Sequence, residues 1–86
     1  MPKPRKSNFE EPYARIIQRL IERRKELGMN QTEFATLYGE DQSFISRVER
    51  LQRRIDVWEF VRLCTILKLR PGELLDGFAS ERTSAS

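Results

Sequence analysis

The chain has 86 residues, 38% hydrophobic and 34% charged, with 16 Lys and Arg against 13 Asp and Glu for a formal charge of +3. This is enough apolar material for one small domain with loose ends and too little for a large enclosed pocket, which argues against an elaborate active site. One cysteine, Cys64, and no histidine exclude an internal disulfide, a Cys/His zinc finger and histidine-based acid–base or triad chemistry.

The lone thiol suits a reducing compartment, and no apolar run approaches the ~20 residues of a membrane span. The basic N-terminus has no apolar segment behind it. A cytoplasmic protein without membrane contact is expected. The mild positive charge suits a nucleic-acid partner only if it is clustered.

Residues 1–11 carry Pro2, Lys3, Pro4, Arg5 and Lys6 and little that is apolar beyond Phe9. They read as a flexible basic arm, either simply solvated or following a phosphate backbone or minor groove. A first helix is expected from near Pro12, which a first turn tolerates. Tyr13, Ile16, Ile17, Leu20, Ile21, Arg24 and Leu27 recur at helical spacing, and Gly28 ends the run. Arg24 lies on the inward side, which is costly unless it is paired.

A second helix follows, with Asn30 as N-cap and Glu33 completing a capping box. Phe34, Ala35 and Tyr38 face inward, and the small Ala35 lets another helix cross closely. Gly39 permits the positive φ of a sharp exit. Asp41 then stands as the N-cap of a third helix whose Ile45 and Val48 point inward. Gln42, Ser43, Ser46, Arg47 and Arg50 form a polar face that the core does not need. Phe44 either packs at the domain edge or reaches a thymine methyl.

Small residue, glycine turn and capped second helix together resemble the helix-turn-helix of phage-repressor or Cro-like DNA-binding proteins, the xenobiotic-response-element type of regulator. RRKELGMNQTEFA is similar to that family's first-helix end, glycine break and second-helix start. SFISRVER and RRIDVWEFVRLCTILKLRPGELL resemble its third, fourth and fifth helices. The resemblance implies an all-α, compact five-helix domain over residues 12–78, with the helix-turn-helix as helices two and three.

It also implies a structural ion pair between Arg24 and Glu49, and a Gln31 that bonds a phosphate and braces the first residue of the third helix. Gln42, Ser43 and Arg47 match the family's base-contacting positions, with Ser46 a lesser candidate. Their chemistry fits: Gln can pair with adenine, Arg with guanine, Ser with either. Asn30 and Gln31, with Arg50, Gln52, Arg53 and Arg54 beyond the third helix, are the candidates for contacts to the DNA backbone.

The sequence departs from the family at LQRRID, where Gly is usual at the position of Leu51 and Pro near Ile55. A left-handed Leu51 would cost about 1 kcal/mol, so the third helix is expected to run on for another turn. Asp56 caps a fourth helix with Val57, Phe60, Val61, Cys64 and Leu67 inward. Cys64 is expected to be a small buried hydrophobe, and Trp58 and Leu63 fall partly off the stripe. Pro71 opens a short fifth helix through Leu75, and residues 79–86 read as a flexible tail.

The function expected is a sequence-specific double-stranded DNA-binding transcriptional regulator, a repressor, that puts its third helix into the major groove. A homodimer on an inverted repeat would supply specificity, with Trp58 and Phe78 as interface candidates. No cofactor, metal or small-molecule effector is expected. The competing reading is an antitoxin-like or adaptor module whose DNA binding is secondary or lost. The arginines at 47, 50, 53 and 54 favour DNA. Single-stranded RNA lacks exposed stacking aromatics, and an enzyme lacks a nucleophile–base pair or phosphate-cradling glycine loop.

Overall fold

A computed structural model describes residues 11–85, and the side chains of residues 11–78. Most of the basic arm, residues 1–10, lies outside the described residues. Among the described residues five helices follow one another: α1 (Glu11–Glu26), α2 (Gln31–Tyr38), α3 (Gln42–Glu49), α4 (Val57–Ile66) and α5 (Pro71–Ala85).

The helix starts are set by side chains. Asn30 Oδ1 accepts from Glu33 N at 2.8 Å while Glu33 Oε1 accepts from Asn30 N at 2.9 Å, a reciprocal capping box opening α2. Asp56 and Glu59 repeat it at α4, at 2.8 and 2.9 Å. Asp41 Oδ1 accepts from Phe44 N at 3.1 Å and opens α3.

The helix ends share one device. After each of α1 to α4 a residue turns left-handed: Gly28 (φ 76°), Gly39 (φ 96°), Leu51 (φ 64°) and Lys68 (φ 60°). The next amide then reaches back to a carbonyl of the last turn: Met29 to Arg24, Glu40 to Ala35, Gln52 to Arg47 and Leu69 to Cys64, at 2.8–3.1 Å. This is the Schellman closure, which satisfies otherwise orphaned carbonyls. The expected extra turn of α3 therefore does not form. Leu51 takes the left-handed position itself, and its half-buried side chain packs against the core, a contact glycine could not make.

The core gathers Ile17 and Leu20 of α1, Phe34, Ala35 and Tyr38 of α2, Phe44, Ile45 and Val48 of α3, and Phe60, Leu63 and Cys64 of α4, with Leu67 just beyond. Ala35 is 1% exposed, as the close crossing of α2 and α3 requires. Phe44 stacks on Tyr38 with centroids 5.3 Å apart, so it belongs to the core and not to a groove-facing surface. Cys64 is fully buried, which pushes its thiol up to about 11; it is an inert packing group.

Two expectations are corrected in α4 and α5. The buried stripe of α4 runs Phe60, Leu63, Cys64, Leu67, whereas Val57 is 79% exposed. Phe60 fixes the helical phase, and Val57 sits in the first turn, before the helix reaches the core. The fifth helix does not stop at Leu75 but continues to Ala85, through the segment read as a tail. Residues 76–85 contain no proline, and extending an existing helix is far easier than nucleating one.

Candidate nucleic-acid interface

Because Ile45 and Val48 hold one side of α3 in the core, its opposite side is presented outward. Gln42, Ser43 and Arg47 are exposed there, and Ser46 is half-buried. Ser43 Oγ donates to Asp41 Oδ1 at 2.9 Å. That bond, with the Phe44 amide, holds the Asp41 carboxyl below its ordinary range. Arg47 lies one turn after Ser43, its Nη1 3.5 Å from Ser43 Oγ.

A chain of polar groups leads from the buried Arg24 out to the first residue of this face. Arg24 is 7% exposed; its Nε and Nη2 donate to the two Glu49 oxygens at 2.7 and 3.1 Å, and its Nη1 to Met29 O at 2.8 Å. Breaking such a pair by removing one partner costs roughly 3–5 kcal/mol, because the other charge is left uncompensated. Glu49 Oε1 also accepts from Gln31 Nε2 at 2.8 Å. A carboxylate can only accept, so Gln31 turns its own oxygen the other way. That oxygen accepts from Gln42 Nε2. Gln42 keeps its carbonyl and one N–H free, the acceptor and donor that adenine requires.

The backbone candidates divide. Asn30 is committed to capping α2, and Gln31 to the chain just described. Arg50, Gln52 and Arg54 are exposed, with the Arg54 guanidinium 4.4 Å over the Tyr13 ring. Tyr13 also accepts from Ile55 N at 3.2 Å, tying the loop after α3 to α1. Arg53 is instead gripped by Glu59, Nη1 to Oε1 at 3.0 Å and Nη2 to Oε2 at 2.9 Å, and stands 4.6 Å over the Phe44 ring.

Sequence reasoning missed this grip, and missed Arg62, which donates to Tyr38 O at 2.7 Å and lies 4.0 Å over the Tyr38 ring. It also missed Arg23, whose Nε donates to Leu67 O at 2.9 Å. These depend on how helices meet, although an arginine six residues before a capping glutamate was a usable clue for Arg53.

The two interface candidates occupy different surroundings. Trp58 is 66% exposed and borders a shallow groove with Leu37, Val61 and Ile66. Phe78 is half-buried with the Arg15 guanidinium 5.2 Å over its ring. One turn before it, Leu75 borders a second apolar groove with Tyr13, Ile16, Val57 and Phe60. Among the described residues no group of His, Cys, Asp and Glu could hold a metal ion, and no helix is long and apolar enough to cross a membrane.

Capped α2, left-handed Gly39 and outward-facing α3 define a helix-turn-helix, and the chain belongs to the helix-turn-helix family, which it matches over residues 20–74. It is thereby a DNA-binding protein of the transcription-regulator class. Among solved structures it is similar to an XRE-family like protein from Pseudomonas syringae pv. tomato str. DC3000, with a TM-score of 0.80 and 33% identity over 88% of this chain and 93% of that one. It is also similar to the restriction-modification controller protein C.AhdI from Aeromonas hydrophila, with a TM-score of 0.64 and 38% identity over 71% of this chain and 88% of that one. No curated protein matches it.

Proposed function

We propose that the protein is a cytoplasmic transcriptional repressor that lays α3 in the major groove of double-stranded DNA. The observation that carries this reading is the outward face of α3, where Gln42, Ser43 and Arg47 stand together and Gln42 is oriented from beneath by Gln31 and Glu49. Gln42 reads adenine, Arg47 reads guanine, and Ser43 and Ser46 complete the face. Arg50, Gln52 and Arg54 beyond α3 set the register on the phosphates.

One such helix reads few base pairs, so two copies bind an inverted repeat with half-sites about one helical turn apart. Trp58 and Phe78 lie on the faces available for pairing. An antitoxin-like or adaptor role draws its support from the exposed Leu37, Val57 and Trp58.

Selection from a randomised double-stranded DNA pool at two salt concentrations, with wild type and Arg47→Ala, tests the proposal. The wild type should enrich an inverted repeat, and the variant should lose about 1–3 kcal/mol of discrimination at a single position of each half-site. Weak, salt-sensitive binding with no enriched site, unchanged by Arg47→Ala, would transfer the function to a protein partner.

A further inference from the structure

We infer that Arg53 is a positioning residue that straps α3 to α4, and that it serves DNA reading through this strap and not through a phosphate contact. This rests on the proposal that α3 enters the major groove. Arg53 lies in the basic loop beside that helix, where a phosphate role is the simple expectation. Its guanidinium is already committed. Both Nη atoms bond the Glu59 carboxylate, at 3.0 and 2.9 Å, and Nη1 also donates to Arg54 O at 3.1 Å.

The Cζ of the same group stands 4.6 Å over the ring of Phe44, the third residue of α3. Phe44 in turn stacks on Tyr38 at the end of α2, and Arg62 of α4 covers the Tyr38 ring and binds its carbonyl. Two guanidiniums and two rings thus join the end of α2 and the first turn of α3 to Glu59 and Arg62 of α4.

Glu59 is placed by its own capping role, since Oε1 also accepts from Asp56 N at 2.9 Å. The strap is therefore anchored to a rigid helix start. On its other flank α3 is held through its own Glu49, which Arg24 of α1 and Gln31 of α2 bind. With only that flank fixed, α3 can tilt about its own axis, and the side chains on its outward face lose their common aim. The bidentate fork and the flat stacking surface are both properties of arginine that lysine lacks.

The test measures, in the full-length chain, affinity for the selected site, its ratio to random-sequence affinity, and the dependence of affinity on salt. The variants are Arg53→Lys, Arg53→Ala and Glu59→Gln, studied well below their unfolding temperatures so that all are folded. The strap predicts that Arg53→Lys and Glu59→Gln each lose on the order of tenfold in specific affinity. The specificity ratio should fall, and the salt slope should be unchanged.

A phosphate contact predicts the reverse. Lysine would rescue, Arg53→Ala would flatten the slope by about 1, and Glu59→Gln, which frees Arg53 and removes a negative charge, would bind at least as tightly as wild type. Any of these three results overturns the strap, as does an unchanged specificity ratio in Arg53→Lys. A readout without DNA separates this failure from failure of the repressor reading. In the free protein the Arg53 side-chain protons should show ring-current shifts from Phe44 that Glu59→Gln abolishes. If wild type selects no site, those shifts still decide whether the strap exists, and their absence refutes it.

Discussion

Lys68 shows how a residue can hold a shape that its chemistry disfavours. It is exposed, left-handed at φ 60°, and closes α4 by handing the next amide, Leu69 N, to Cys64 O at 2.9 Å. A side chain in that conformation costs roughly 1 kcal/mol that glycine does not incur. A Cβ placed at Gly28 or Gly39, the equivalent residues of α1 and α2, would meet nothing within 4 Å, so backbone conformation and not space favours glycine there. Lys68→Gly is expected to stabilise the domain by up to about 1 kcal/mol, some 4–8 °C in melting temperature, read by thermal unfolding. A decrease would show that the Lys68 side chain makes a compensating contact. Leu51 is the opposite case, since its side chain is packed and glycine there would lose that burial.

At the scale of the element, the loop after α3 is held by polar groups, Arg53 on Glu59 and the Ile55 amide on the Tyr13 hydroxyl. Arg53 bonding holds the Glu59 carboxyl below its ordinary value of 4.5, with the backbone bond from Asp56 and the charge of Arg62 acting the same way. A carboxyl whose folded value is depressed contributes stability that is fully present above its unfolded value and is lost as pH falls through the folded one. Wild type should therefore exceed Glu59→Gln in stability at neutral pH, and the gap should close as pH is lowered from about 5. Denaturant unfolding at a series of pH values measures this. A gap independent of pH would mean that the carboxylate charge is not what Arg53 uses.

The spacing of apolar residues made the inward faces of α1, α2 and α3 legible, and the caps at Asn30, Asp41 and Asp56 could be read from residue type alone. Phase was harder in α4. Val57 and Leu63 were exchanged between surface and core because seven apolar residues in the ten of α4 fit more than one stripe, and only contact with the other helices chooses among them. Gln42, Ser43 and Arg47 were visible as polar residues on a helix whose other side is apolar. The link from Arg24 through Glu49 and Gln31 to Gln42 became visible only by family resemblance, since it joins residues up to 25 apart.

For the whole molecule, the proposed dimer has two apolar surfaces to draw on. Leu37 and Trp58 border one groove, Val57 and Leu75 the other, and apolar surface left uncovered on so small a domain marks a place of association. With Trp58 in the interface, Trp58→Glu should yield monomers in sedimentation at micromolar concentration and reduce binding of the inverted repeat to that of a half-site. If Trp58→Glu remains dimeric while Leu75→Glu does not, the interface lies on the groove beside α1 and α5.

Caps and periodicity act within a few residues along the chain, so the starts of the helices, the inward faces of α1, α2 and α3 and the polar face left on α3 follow from local order alone. The tertiary structure alone decided that Leu51 and Lys68 take left-handed turns, that α5 runs to Ala85, and that Arg53 turns toward Glu59 and Phe44. Each of these turns on free energies of about 1 kcal/mol or on groups from different helices, and local preference cannot settle such balances before the packing that supplies the remainder is in place.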